Sequence, residues 1–204
     1  MDPALTLRGF VLGFTIAAAV GPISLLVIRR TLSEGRVVGL ASGMGVATAD
    51  ATYGAIAAFG LGAITQALVD ARHVLGLVGG FFLLWLAWKT ARAEPHDPAL
   101  VRARRGGLAG AYLSILGLTL TNPMTILSFG ALFAGLGVTG SGPGGAALIT
   151  LGVLLGSGAW WVVLTSAVSL VRTRITTSWI RRINVASGVA IGGFALFAIA
   201  TAVL

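Results

Sequence analysis

Residues 17–50 read AAAVGPISLLVIRRTLSEGRVVGLASGMGVATAD, a stretch that holds the tail of one apolar run, a basic turn and a second apolar run. Gly21 and Pro22 interrupt the first run, and Arg29, Arg30 and Arg36 separate it from the second. Gly39, Gly43 and Gly45 punctuate the second run, which reaches Asp50 without another charge. Apolar runs of ~20 residues bounded by basic clusters match the ~30 Å hydrocarbon core that a transmembrane helix must cross.

The same pattern extends outward over the whole chain. Of 204 residues, 56% are hydrophobic and only 10% charged, and the mean hydropathy is +0.96. A soluble domain carries about 25% charged residues, so the bilayer has to be the solvent here. Spans are expected near Leu5 to Ile28, Val37 to Ile64, Val74 to Trp88, Leu108 to Leu136, Ala146 to Val171 and Ile183 to Leu204. No stretch alternates with period two as an outer-membrane barrel strand does, which leaves helices. Ala17, Ala18 and Ala19 resemble a signal-peptide cleavage site, but the apolar stretch runs on past Pro22 to Ile28. The first segment therefore reads as a retained helix.

The chain has no Cys, which removes thiol redox chemistry, disulfides and thiolate metal sites. The two imidazoles, His73 and His96, fall in expected loops. The sequence thus offers no metal cluster, no cofactor site and no catalytic constellation, and it does not read as an enzyme. The net charge of +8 would suggest nucleic acid in a soluble protein, but the basic residues lie between apolar spans. Three expected loops collect 12 of the 14 Lys and Arg: Arg29, Arg30 and Arg36; Lys89, Arg92, Arg102, Arg104 and Arg105; Arg172, Arg174, Arg181 and Arg182. Short basic loops stay in the cytoplasm, so both termini are expected outside it. A lipid- or nucleic-acid-binding patch at Arg102 to Arg105 is the weaker reading, and no nucleic-acid partner is expected.

An internal repeat is visible across the chain. Gly21-Pro22 in span one has a counterpart in Asn122-Pro123 in span four, and Gly39, Gly43 and Gly45 have the spacing of Gly152, Gly156 and Gly158. Gly79 and Gly188 give a weaker third match. With three spans per half, the second half starts from the opposite face of the bilayer. The expected fold is therefore an all-α integral membrane protein, a single domain of six transmembrane helices arranged as two inverted three-helix repeats. Repeat one covers about 5–92, a cytoplasmic loop about 89–107, and repeat two about 108–204.

The candidate site follows from the breaks in this pattern. Proline inside a helix frees the carbonyl four residues back, here that of Ala18 for Pro22 and of Thr119 for Pro123. Polar backbone at membrane depth must be buried in protein or line a hydrated cavity. Gly21, Ser24, Thr121, Asn122 and Thr125 stand beside these breaks, and paired interruptions in two halves point to a transporter binding site. The bland alternative is a pair of simple kinks satisfied by neighbouring hydroxyls.

Asp50 is the only acidic residue inside an expected span. At 100° per residue it lies about 20° from Gly39 and from Gly43, on the face where small residues admit a neighbouring helix. A membrane-embedded carboxylate usually has a transport role. The bland reading is a neutral acid hydrogen-bonded to a Ser or Thr. Tyr53 stands one turn on, within reach of the same cavity. Of the tryptophans in span five, Trp160 is expected nearer the pocket, about 80° from Gly152, and Trp161 on the opposite face.

With these residues in place, the sequence resembles the LysE-type exporters of basic amino acids, homoserine and threonine over essentially its whole length. The resemblance rests on residues 17–50 as quoted, on GLGAI at 60–64 and on LTLTNPMTILSFGALFAGLG at 118–137. It implies proton- or potential-driven export of amino acids or related small metabolites across the bacterial cytoplasmic (inner) membrane. It further implies a small-molecule substrate, protons as coupling ion, and a chain surrounded by lipid that allows a homo-oligomer. Many members have Pro-Gly-Pro where this chain has Val20-Gly21-Pro22, Gly-Asp for Ala49-Asp50, and Asn-Pro-Lys for Asn122-Pro123-Met124. The missing Lys argues against homoserine or threonine as cargo. The rival readings are a cation or heavy-metal exporter of the same superfamily, for which one carboxylate is thin coordination, and a non-transporting scaffold.

Overall fold

The computed structural model of the chain describes residues 3–19, 21–60, 70–92, 107–122, 125, 128, 129, 142–172 and 177–203. Among them are seven helices and no strand: α1 (Pro3–Ala18), α2 (Pro22–Glu34), α3 (Arg36–Ala58), α4 (Arg72–Ala91), α5 (Gly107–Leu120), α6 (Gly142–Arg172) and α7 (Thr177–Val203). Three segments, His73–Ala91, Gly142–Val171 and Arg181–Val203, are long and apolar enough to cross a bilayer. The pair α1 and α2 makes a fourth if the bent pair is one span. α3, with 23 residues, is rich in Gly, Ala, Ser and Thr and packs against α2, α5 and α6, so protein covers much of what lipid would otherwise meet.

At the interruption expected at Gly21-Pro22, α1 and α2 are separate rods bent by 78°. One expectation needs correction here: Arg29, Arg30 and Arg36 do not lie in a loop, because α2 continues to Glu34, α3 begins at Arg36 and Gly35 alone joins them. Gly35 has φ 102°, a left-handed conformation that a Cβ would strain, and its N–H closes α2 on the Arg30 carbonyl at 3.2 Å.

Both arginines act as struts between helices. Buried Arg29 donates through Nε to Asn184 Oδ1 of α7 at 3.0 Å and through Nη1 to Thr90 Oγ1 of α4 at 3.4 Å. Arg30 donates to Ser42 Oγ of α3 at 2.8 Å, and to the Ala111 carbonyl and Ser114 Oγ of α5, each at 2.9 Å. These bonds gather the end of α2, the end of α4 and the starts of α3, α5 and α7 at one end of the bundle. His73, expected in a loop, lies in the first turn of α4, where Nδ1 meets the Ala202 carbonyl of α7 at 3.0 Å. α4 and α7 therefore run antiparallel.

Close packing of backbones joins the helices. On α1 and α6, a Cβ added to Gly9 would strike the Ile149 carbonyl, and one on Gly13 the Val153 carbonyl. From the other side, Gly152 and Gly156 meet the carbonyls of Thr6 and Phe10. Contact positions rise together along both chains, so α1 and α6 run parallel. Gly45 abuts the Tyr112 carbonyl, Tyr112 Oη donates to Thr48 Oγ1 at 2.9 Å, and Tyr53 meets Leu120 further along both helices, making α3 and α5 a second parallel pair. Gly43 meets Trp161 and Gly54 meets Val153 across an antiparallel α3 and α6. Of the six glycines expected to pack helices, Gly39 fits against Thr31 within the α2–α3 hairpin, and Gly158 meets only the Met44 methyl at 3.7 Å.

Enlarging Gly156 should therefore harm the fold where enlarging Gly158 does not. Gly156→Val is expected to lower stability by about 1–3 kcal/mol through overpacking against α1, with Gly158→Ala close to neutral. Unfolding midpoints of the detergent-solubilised variants check this.

Candidate functional site

The site is built on the break between α1 and α2. Pro22 is the first residue of α2, where its missing N–H is no loss. Gly21 caps the helix in an extended conformation, φ −138° and ψ −173°, without a side-chain hydrogen bond. First-turn N–H groups have no acceptor within their own helix, and those of Ile23 and Ser24 follow Pro22. A Cβ added at Gly21 would meet nothing within 4 Å among the described residues, where the helix start borders open space.

That space is a cavity of about 480 Å³, within the ~300–1,000 Å³ typical of small-molecule sites. Its described lining brings together Gly21, Pro22, Ser24, Asp50, Asn122 and Thr125 from the expected site. Thr119, Ser128 and Thr201 add hydroxyl-bearing residues, and Ile16, Val46, Leu83, Trp161, Phe194 and Phe197 are among its apolar lining. Pro123 lies outside the described residues.

Asp50 is 2% exposed and accepts a hydrogen bond from Ser157 Oγ to Oδ2 at 2.7 Å. Its Oδ1 has no hydrogen-bond partner among the described residues. Ser157 sits between the two last glycines of the second Gly motif, so the neutral-looking residue in the middle of that motif is the one that holds the carboxylate. The bland reading of Asp50, an acid on a hydroxyl, and the functional one, an acid in a cavity, describe the same geometry. Ser24 is 5% exposed, and its Oγ reaches the Ala19 carbonyl at 3.4 Å.

Two of the expected residues serve the end of α5 and not the cavity. Tyr53 Oη donates to the Leu120 carbonyl, one of the last carbonyls of α5 and so without a partner in its own helix. Its ring lies 5.8 Å from that of Phe129. Thr121 Oγ1 bonds back to the Gly117 carbonyl at 3.0 Å and the Leu118 carbonyl at 3.2 Å. Asn122 N–H returns to the Thr119 carbonyl at 3.2 Å, and Thr125 N–H to the Asn122 carbonyl at 3.1 Å. The chain thus turns tightly where α5 ends.

The expected order of the tryptophans is reversed. Trp161 is 1% exposed and lines the cavity, while Trp160 stacks edge-on against Phe14 of α1 at 5.4 Å. The reason is that Gly152 and Gly156 face α1, whereas Val153, Ser157 and Trp161 form the row that faces α3.

The LysE type translocator family profile matches residues 14–201. The chain belongs to that family. It is 31% identical to the uncharacterized membrane protein YahN of Escherichia coli K12 over 176 residues, 84% of this chain and 78% of YahN. It is 28% identical to the uncharacterized membrane protein slr1627 of Synechocystis over 115 residues, 56% of each chain. No solved structure matches. Membership makes the protein a membrane translocator with a small-molecule substrate, and the matched region contains the whole cavity.

Removing the Tyr53 hydroxyl leaves the half-buried Leu120 carbonyl without its donor. Tyr53→Phe is expected to lower stability by about 1–3 kcal/mol while leaving the cavity lining intact. Thermal unfolding in detergent, beside a ligand-binding measurement, separates the two effects.

Proposed function

We propose that the protein is a secondary active exporter of amino acids or related small metabolites across the bacterial cytoplasmic membrane, working by proton antiport. The observation that carries this reading is the meeting of Asp50 with the start of α2 on one cavity. A cargo ammonium sets against ionised Asp50, while its carboxylate takes the first-turn N–H groups and positive dipole end of α2. Proton entry from outside then neutralises Asp50, and the cargo leaves.

The scaffold we propose for this cycle is six membrane crossings in two inverted repeats, about 5–92 and 108–204, with both termini outside the cytoplasm. The pattern of helix contacts supports it. Exchanging α1 with α5, α3 with α6 and α4 with α7 turns the parallel pair α1·α6 into the parallel pair α5·α3. The same exchange returns α3·α6 and α4·α7 to themselves, and both are antiparallel, as pairs across an in-plane two-fold axis must be. Gly80 against Ala195 and Ile199 has its counterpart in Gly188 against Ala87 and Ala91, so Gly80 is a better match to Gly188 than Gly79. The arginine-rich end of the bundle is then the cytoplasmic one.

A bare cation is less well served by this site, since Asp50 is the one ionisable side chain among the described lining residues and a metal ion needs several ligands.

The test is counterflow of labelled amino acids in proteoliposomes of the purified chain. An inwardly directed proton gradient should drive uphill efflux, and dissipating it should abolish the accumulation. Asp50→Asn keeps the shape and an acceptor for Ser157, so the variant should fold yet lose at least ~10-fold in proton-driven export. Full proton-coupled export by this variant would remove Asp50 from the mechanism.

A further inference from the structure

We infer that the cargo of this site is an amino acid with an uncharged, apolar side chain of the leucine to phenylalanine class, read by a subsite of Ile16, Leu83, Trp161, Phe194 and Phe197. The inference rests on the exporter reading above and narrows its substrate.

Charge sets the first limit. Asp50 is the one ionisable side chain among the described lining residues. Residues 61–69 and 123–141 contain no charged residue either, so those segments cannot supply a second ion to the cavity. An α-ammonium occupies Asp50 and an α-carboxylate the start of α2. A third charge, as in lysine, arginine or glutamate, would find no partner among the described lining residues, in mainly apolar surroundings where ions are strongly disfavoured.

Shape sets the second limit. Apart from its hydroxyl, amide and carboxyl groups, the cavity is lined mainly by aliphatic and aromatic side chains, and its volume of about 480 Å³ exceeds what a small polar amino acid would fill. Trp161 belongs to this apolar wall because Gly43 gives it room: a Cβ on Gly43 would lie 2.5 Å from Trp161 Cβ and 2.7 Å from Cγ. Phe194 and Phe197 of α7 line the same cavity while 42% and 56% exposed, so they stand at its edge and bring apolar surface to an entering side chain. A side chain that packs against these groups is favoured over one that sets a polar group against them.

Competition against labelled leucine counterflow in proteoliposomes tests the inference. Leucine, methionine and phenylalanine should exchange at least ~10-fold better than serine, a discrimination within reach of apolar contacts, and lysine and glutamate should not exchange. Phe194→Ser, at a half-exposed position that should not impair folding, is expected to narrow the phenylalanine-to-serine ratio. Preferred exchange of lysine, glutamate or serine would overturn the subsite and leave the exporter reading standing. If none of these amino acids exchanges while the protein remains folded by circular dichroism, the subsite falls together with an amino-acid cargo. An unchanged ratio in Phe194→Ser, with a folded protein, removes Phe194 from the subsite.

Discussion

Backbone inside a bilayer has no water to turn to, and the break at Gly21-Pro22 is the place where this chain meets that constraint most directly. Because Pro22 cannot continue α1, the chain turns by 78° and starts a new helix in mid-bundle. The open start of α2 needs a cavity in front of it, and the cavity needs helices that stand back on one side while packing tightly elsewhere. Gly9, Gly13, Gly152 and Gly156 supply the tight packing of α1 on α6, and Gly43 admits Trp161 to the cavity lining.

Asp50 gains its setting from the same division of labour. The row Val153, Ser157 and Trp161 on α6 faces α3, so the hydroxyl that holds the carboxylate and the indole that bounds the cavity come from adjacent turns of one helix. Arg29 and Arg30 hold the far end of α2 to α4 and α7 on one side and to α3 and α5 on the other. α2 therefore has an acid on the cavity at its start and two bases near its finish.

Much of this was legible in the sequence because it depends on local signals. A Gly-Pro pair in an apolar run has few meanings, and a lone carboxylate on a glycine face has fewer. What escaped the sequence depends on which neighbour a helix face meets. The arginines at 29 and 30 look like a loop because basic residues usually end a span, yet here α2 carries them inward to polar partners on four helices. Tyr53 is one turn from Asp50 but is taken by the end of α5. Trp160 was favoured by measuring from Gly152, although the 31 residues of α6 serve two different neighbours. Ser157 had no signal beyond its place between two glycines, and the α7 residues of the cavity read as ordinary lipid-facing apolar positions.

The single-residue connection at Gly35 has a mechanical consequence. α2 is a rigid arm of 13 residues, ~20 Å long at 1.5 Å per residue, pivoted at the hairpin and ending at the cavity. A swing of ~10° about Gly35 carries Gly21 through ~3 Å on that geometry, about the difference between a hydrogen bond and a gap that admits a water molecule. The bonds of Arg29 and Arg30 at the hairpin, with Ile23, Leu26 and Val27 buried along the arm, therefore fix where the cavity end of α2 stands.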